Sequence, residues 1–94
     1  MQDEKIARAI RPRIRRDILH LLCENAKLSV HKIRDLLNTT ESTASRNLKI
    51  LYDLGFVDFE IKSPEKFYFL KIKEMKELFR VYDMVVDKLK NSES

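Results

Sequence analysis

Glycine is nearly absent from this sequence, and proline, the other residue that interrupts regular structure, is also scarce. The 94 residues include one glycine and two prolines. A glycine-rich loop that cradles phosphate groups is therefore excluded. Because so few residues break the periodic segments, we expect a chain that is mostly helical.

Cysteine and long apolar runs are missing or scarce in the same way. The single cysteine, Cys23, excludes a disulfide framework and a thiolate cluster on zinc within one chain, and we expect it to be a small buried residue. No run of about 18 apolar residues is present, which excludes a membrane span. The first residues, M-Q-D-E-K, lack the apolar core of a signal peptide. We therefore expect a cytoplasmic protein with no membrane partner.

Charge and apolar content indicate the size of the core and the kind of partner. Hydrophobic residues make up 44% of the sequence, enough for one modest core, so we expect residues 1–94 to form one domain. The formal net charge of +4 favours attraction to a polyanion. No arrangement of serine, histidine and acid supports nucleophilic catalysis, so we expect no catalytic residues and no enzymatic activity.

An amphipathic helix predicted over residues 41–54 is the most informative segment. Thr40 can cap its first amides, and Gly55 can adopt the left-handed conformation that ends it. The side predicted to be buried contains Ala44, Leu48, Leu51 and Leu54. The opposite side suits the major groove of DNA and contains Ser42, Ser45, Arg46 and Lys49, with Thr43 beside them. An ordinary solvated helix face has a similar composition, so this pattern alone does not establish binding.

The segments before this helix predict three further helices. Residues 1–11 form the first, and Pro12 ends it and can begin the second in its first turn, over about residues 13–25. Arg8, Arg11 and Arg15 form a basic ridge, which either rests on DNA phosphates or is simply solvated. A third helix, capped by Ser29, and the polar turn N-T-T complete a helix-turn-helix over residues 29–54.

A β-hairpin is predicted over residues 56–73, because the hydrophobic period changes there from 3.6 to 2. Apolar and charged residues alternate in V-D-F-E-I-K, S-P-E-K forms the turn, and an apolar strand follows. Lys62 and Lys66 lie near the tip. Residues 27–30 are predicted to add a third strand beside the hairpin.

Two segments resemble a known family. Residues 40–57, T-E-S-T-A-S-R-N-L-K-I-L-Y-D-L-G-F-V, resemble the recognition helix of ArsR-type winged helix-turn-helix regulators. Residues 12–22, P-R-I-R-R-D-I-L-H-L-L, resemble the second helix of that family. The resemblance covers residues 10–72 and implies a winged helix-turn-helix, a mainly α fold with a small β-hairpin wing (α+β).

A DNA-binding surface is predicted on the recognition helix and the tip of the hairpin, which the resemblance identifies as a wing. Its expected members are Thr40, Ser42, Thr43, Ser45, Arg46, Lys49, Lys62 and Lys66. Members of the family often have arginines along the wing, whereas this sequence has Asp58 and Glu60, which would repel phosphates if they faced DNA. We therefore expect the wing to contribute little affinity.

Metal sensing is known in this family, but its ligand motifs are missing here. The family's C-x-C pair in the helix before the recognition helix corresponds to Ser29 and His31, and a second site on the last helix retains only Asp83 and Asp87. A serine does not replace a thiolate, and a single imidazole binds metal weakly. We therefore expect no metal effector and no cofactor.

The helix predicted over residues 74–91 has an apolar stripe wider than a chain of this length can cover, which indicates association. The resemblance implies that this helix packs with the first helix across a two-fold axis, giving a homodimer. The interface residues expected on this basis are Ile6, Ile10, Leu78, Tyr82, Val85 and Leu89.

Two functions remain compatible with the sequence. The first is a sequence-specific regulator of transcription that binds double-stranded DNA as a homodimer, favoured by the basic N-terminal segment and by Arg46 and Lys49. The second is a winged-helix module that binds other proteins in a larger assembly, favoured by the acidic wing and the modest net charge. Fold alone does not separate them.

Overall fold

The computed structural model describes residues 1–92, which form five α-helices and a three-stranded antiparallel sheet. In chain order the elements are α1 (Gln2–Ile10), α2 (Arg13–Glu24), β1 (Leu28–Ser29), α3 (Val30–Leu37), α4 (Glu41–Leu54), β2 (Val57–Lys62), β3 (Glu65–Leu70) and α5 (Met75–Ser92). Helices α3 and α4 form the helix-turn-helix, and β2 and β3 form the wing. The predicted fold class, mainly α with a small β-hairpin wing, is confirmed.

Strand β3 lies in the centre of the sheet, with β1 on one side and β2 on the other. Leu28 and Phe59 are both paired with Tyr68, so the short strand before α3 is tied to the wing. This confirms the third strand predicted from residues 27–30. The sheet therefore connects the helix-turn-helix to the base of the hairpin.

Both ends of α4 are defined by the residues that the sequence singled out. The Thr43 amide donates to Thr40 Oγ1 at 3.1 Å, satisfying one of the free N–H groups of the first turn. Gly55 has φ +93°, and its amide and that of Phe56 bond back to the last turn. The recognition helix thus begins and ends where local chemistry predicts.

Local capping also defines the two ends of α3 and the turn that leads from it to α4. Ser29 Oγ caps α3 by accepting from the Lys32 amide at 3.1 Å. Asn38 ends α3 in the left-handed conformation, with φ 52°, which asparagine tolerates better than most residues. This short turn positions α4 against α3 and leaves one side of α4 exposed.

The core lies between α2, α3, α4 and the sheet. Its largest fully buried side chains are Ile18, Leu19, Leu22, Ile33, Leu48, Leu51, Val57 and Leu70. Met75 and Phe79 close it from α5. One side of α5 is therefore used by the core, and the rest of that helix remains on the surface.

Local details differ from the sequence-based expectations. Pro12 is the N-cap of α2 and lies in an extended conformation, rather than in the first helical turn. Helical spacing predicts that α2 buries Ile14, Ile18, Leu21 and Leu22, but Leu19 is fully buried and Ile14 and Leu21 are only partly buried. Strand alternation predicts Ile72 on one face with Tyr68 and Leu70, but Ile72 lies beyond the end of β3 and is exposed, because the chain leaves the sheet after Leu70.

The helices of residues 1–92 are too short or too polar to cross a lipid bilayer.

Candidate nucleic-acid interface

The outward side of α4 presents four of the predicted DNA-contacting side chains to solvent: Ser42, Ser45, Arg46 and Lys49. Within residues 1–92, no carboxylate lies within ion-pair distance of the Arg46 guanidinium. Lys49 Nζ contacts Asp53 one turn later at 3.0 Å, but both side chains are exposed and such a pair is weak. Arg46 therefore has no ion pair to break within residues 1–92, and Lys49 can exchange Asp53 for another acceptor.

Thr40 and Thr43 have a different environment from the other predicted contacts. Besides capping the helix, the Thr40 hydroxyl donates to Thr43 Oγ1 at 2.9 Å, and Thr43 is partly buried. Their side chains hold the first turn of α4 in place. The main role of these two threonines is therefore to cap α4, and contact with a ligand would be an additional role.

A buried polar contact below the exposed face was missed by the sequence analysis. Asn47 is 5% exposed, its Nδ2 donates to the Thr43 carbonyl at 2.9 Å, and its Oδ1 accepts from Arg15 Nη1 at 3.2 Å. Arg15 Nε also donates to the Arg8 carbonyl at 2.8 Å, so one guanidinium ties α1 to α4. An asparagine at a position with buried helical periodicity was the available signal.

The basic ridge predicted near the N-terminus is therefore divided. Arg15 is used within the fold, and the neighbouring Arg16 donates to the carbonyls of Ile10 and Arg11 at the end of α1. Arg8 and Arg11 remain exposed. Of the three arginines predicted to form a continuous ridge on DNA phosphates, Arg15 is therefore occupied by contacts within the protein.

The wing separates its charged side chains onto two faces. Phe59 pairs with Tyr68 and Ile61 pairs with Lys66, and directly paired residues share a face of an antiparallel sheet. Asp58 and Glu60 alternate with these and project from the other face. There Lys27 donates to Glu60 Oε1 at 2.8 Å, which lowers the pKa of that carboxyl group. Glu60 is thus paired on the side away from α4.

The two lysines predicted at the tip are also separated. Lys66 lies on the face towards α4, with its Nζ 4.8 Å from the centre of the Phe59 ring. Lys62 lies on the opposite face, with its Nζ 3.8 Å from Glu60. The structure therefore brings Lys66, but not Lys62, towards the exposed side of α4.

A hollow of about 370 Å³ lies between α4 and the wing. It is lined by the polar side chains of Ser45, Lys49 and Lys66 and by the aromatic side chains of Tyr52, Phe59 and Tyr68. The ring centres of Tyr52 and Phe59 are 5.3 Å apart, and those of Phe59 and Tyr68 are 5.2 Å apart. The aromatic contacts hold the wing at a defined distance from the recognition helix.

His31 forms a second connection between these elements. Its Nδ1 lies 2.9 Å from Glu65 Oε1 in the wing, and its Nε2 lies 2.5 Å from Glu41 Oε1 in the first turn of α4. These contacts raise the pKa of His31, chiefly through the hydrogen bond to Glu65 and then through the charge of Glu41. In the sequence, His31 is distinguished only by its position, which corresponds to a metal ligand of the family.

Comparisons with known proteins agree with this geometry. Residues 13–58 match the family described as bacterial regulatory protein, arsR family. An uncharacterized HTH-type transcriptional regulator from Methanocaldococcus jannaschii is 35% identical over 66 residues, which cover 70% of this chain and 74% of the relative. The chain belongs to the ArsR family of winged-helix transcriptional regulators.

Solved structures support the fold of this ArsR-family protein. HlyU from Vibrio cholerae matches with a TM-score of 0.80 and 25% identity, over 89% of this chain and 90% of HlyU. A homodimeric winged helix-turn-helix DNA-binding domain from Mycobacterium bovis, described as a possible ArsR-family regulator, matches with a TM-score of 0.84 and 24% identity, over 97% and 83% of the two chains. The resemblance noted from the sequence is thus confirmed.

The family's metal site does not fit the residues of this ArsR-family chain. Ser29, which occupies one of the two cysteine positions, is 9% exposed and its hydroxyl is used to cap α3. Both nitrogens of His31 already face carboxylates that lie on different sides of the ring. Burial raises the pKa of the Cys23 thiol, which disfavours the thiolate that binds metal. Within residues 1–92, no group of three or more potential ligands is arranged to hold an ion.

The surface expected to form the dimer interface is largely exposed in the single chain. Five of its six predicted members lie at the surface: Ile6, Leu78, Tyr82, Val85 and Leu89. The sixth, Ile10, is partly buried against the core. Val81 and Met84 are also exposed and were not predicted. A further hollow of about 290 Å³ separates α1 from the start of α5 and is lined by Ile6, Leu54 and Leu78 among others.

Proposed function

We propose that this protein is a sequence-specific regulator that binds double-stranded DNA as a homodimer and does so without a metal effector. The observation that supports this most directly is the arrangement of α4 and the wing. Arg46 is exposed and has no acidic partner within the described chain, while Ser45, Lys49 and Lys66 line one hollow beside it. These are the hydrogen-bonding and cationic groups that bind base edges and phosphates.

Each group on this surface has a distinct proposed role. Arg46 makes a bidentate contact with guanine in the major groove, the commonest specific contact of this kind. Ser42 and Ser45 bind base edges or phosphates, and Lys49 binds the backbone after exchanging Asp53 for phosphate. Lys66 binds the backbone from the wing. Lys62, which faces the other side of the hairpin, contributes less than Lys66.

Two observations support the proposed dimer. Exposed apolar side chains on α1 and α5 leave a surface that a second copy can cover, and the Mycobacterium bovis domain with the same fold is homodimeric. A two-fold dimer would place two recognition helices in successive major grooves about 34 Å apart. The target is then an inverted repeat with half-site centres about 10–10.5 base pairs apart, or a multiple of that spacing.

A binding titration with a selected operator and with random duplex, at about 50 and 200 mM salt, tests this proposal. Contacts with 6–10 phosphates predict an affinity loss of roughly 10³-fold or more over that range. Arg46→Ala should cost about 1–3 kcal/mol on the operator and little on random duplex, because only the operator offers the chosen guanine. Lys66→Ala should weaken both complexes alike.

The matched control is Lys62→Ala, which removes the same charge from the opposite face of the wing. It should weaken binding less than Lys66→Ala does. If Arg46→Ala leaves both affinities unchanged, this face does not bind DNA. The aromatic hollow between α4 and the wing, together with the exposed Ile61, would then favour the protein-interaction function.

A further inference from the structure

His31, Glu41 and Glu65 form a cluster, here called the His31 bridge, that joins three elements. His31 lies in the first turn of α3, Glu41 is the first residue of α4, and Glu65 is the first residue of β3. The contacts span 10 and 34 positions of sequence, and each links the imidazole to a different element. The His31 bridge therefore connects the start of the recognition helix to the tip of the wing.

The chemistry of this arrangement requires a proton on each ring nitrogen. A carboxylate offers only acceptors, so a contact with it is attractive only where the nitrogen carries hydrogen. The neutral imidazole has one N–H and one lone pair, and a lone pair facing a carboxylate oxygen is repelled. Only the imidazolium form of His31 can bind Glu41 and Glu65 at the same time.

Other charges around the ring are few. On α3, Arg34 lowers the pKa of His31, and Asp35 is itself paired with Arg34 at 2.9 Å. From the wing, Lys66 lines the same hollow of about 290 Å³ as His31 and Ser45. The two carboxylates of the bridge outweigh these cations, so the pKa of His31 is raised overall.

The sign of the resulting pH dependence follows from this raised pKa. A histidine with a higher pKa in the folded protein stabilises the fold fully below its ordinary pKa, about 6.5. That contribution is lost as the pH rises through the raised pKa of His31. Contact between the wing and α4 is thus strongest at mildly acidic pH and weakens at alkaline pH.

We propose that His31 is a positioning residue that ties the tip of the wing to the start of the recognition helix only while it is protonated, and that DNA affinity consequently falls as pH rises. The second part rests on the DNA-binding function proposed above. Loss of the proton removes the ionic contacts between the tip of the wing and α4, while the aromatic contacts of Phe59 remain, and it leaves the charges of Glu41 and Glu65 no longer balanced by His31. Both effects oppose the approach of phosphates.

Titration by NMR tests the positioning role without DNA. The imidazole signals of both histidines and the amide signals of wing-turn residues Lys62, Ser63, Glu65 and Lys66 are followed between about pH 5 and pH 9. The wing amides should titrate together with His31, and Glu65→Gln should shift this titration to lower pH, because it removes the main cause of the raised pKa. Wing amides that ignore the titration of His31, or a titration unmoved by Glu65→Gln, would overturn the inference.

Affinity for a selected operator at about pH 6 and pH 8 tests the functional consequence. If DNA binding raises the pKa of His31 by about half a unit to one unit, the dissociation constant increases by up to about three- to tenfold for each His31 of the dimer over this range. His31→Gln should abolish that increase. His20→Gln is the matched control, because His20 also contacts a carboxylate, Asp83 at 3.0 Å, but lies between α2 and α5. It should retain the full pH dependence.

Failure of this inference and failure of the proposed function have different signatures. Salt-dependent binding to duplex with the same pH dependence in wild type and His31→Gln would overturn the inference and leave the function intact. Absence of duplex binding at either pH, with wing amides that follow His31, would refute the DNA-binding function while supporting the positioning role.

Discussion

Adjacent residues on α4 have opposite roles because one step along the helix rotates the side chain by about 100°. Arg46 projects into solvent beside the hollow, whereas Asn47 is buried and contacts Arg15 of α2. The amide of Asn47 is well suited to its position, since it donates to the Thr43 carbonyl and accepts from Arg15 with different atoms. The proposed DNA contact and a contact that stabilises the fold thus involve neighbouring residues in the sequence.

Replacing Asn47 with alanine should lower the free energy of unfolding by about 1–3 kcal/mol, because a partly buried guanidinium group of Arg15 loses an acceptor. Urea denaturation measures this change. Arg46→Ala is the matched control on the adjacent exposed position and should alter stability by no more than about 0.5 kcal/mol. Equal stability of the two variants would show that the contact between Arg15 and Asn47 contributes nothing.

At the scale of elements, α4 is held by chemistry at its two ends and by the wing along its length. Thr40 and Gly55 were identifiable in the sequence because a cap and a left-handed residue act on their immediate neighbours. The contacts of Asn47 with Arg15, and of His31 with Glu41 and Glu65, were not identifiable. Their partners lie 10 to 34 positions away, and only the packing of the helices on the sheet brings them together.

The wing also combines a feature that neighbouring residues determine with one that depends on packing. Alternation in β2 predicted the strand and suggested that Asp58 and Glu60 would repel DNA. Which face turns towards α4 is shown by the packing of Phe59 against Tyr52 of α4, which the sequence did not reveal. Because Asp58 and Glu60 alternate with Phe59, they lie on the other face, where Lys27 pairs with Glu60.

Gly55 offers a test of how α4 ends. Gly55→Ala should destabilise the protein by about 1–2 kcal/mol, because a residue with a Cβ is strained at φ +93°. No heavy atom lies within 4 Å of the position that the new Cβ would occupy, so backbone strain is the main cause. Gly55→Asn is the control and should cost less, since asparagine adopts this conformation more readily. Thermal or urea unfolding of both variants gives the comparison, and an alanine variant as stable as wild type would contradict the strain.

At the scale of the whole molecule, α5 has more apolar surface than one copy of the chain covers. Met75 and Phe79 face the core, whereas Leu78, Tyr82, Val85 and Leu89 recur along an adjacent exposed side of the same helix. The periodicity of α5 could be predicted from the sequence, but the division of its apolar residues between core and surface required the packed structure. Apolar residues that remain exposed at helical spacing are typical of an interface.

Replacing Val85 and Leu89 together with lysine should therefore convert a dimer into a monomer, because the ammonium groups would be buried without partners at a formerly apolar contact. The measurement is light scattering coupled to size exclusion at micromolar concentration. Asp87→Lys is the matched control, since it makes α5 more positive by the same amount on a side of the helix away from this stripe. The control should retain twice the mass of one chain and should still bind duplex DNA. The double variant should show the mass of one chain and should lose most of its affinity for the inverted repeat. A wild-type protein that is already monomeric under these conditions would refute the proposed dimer.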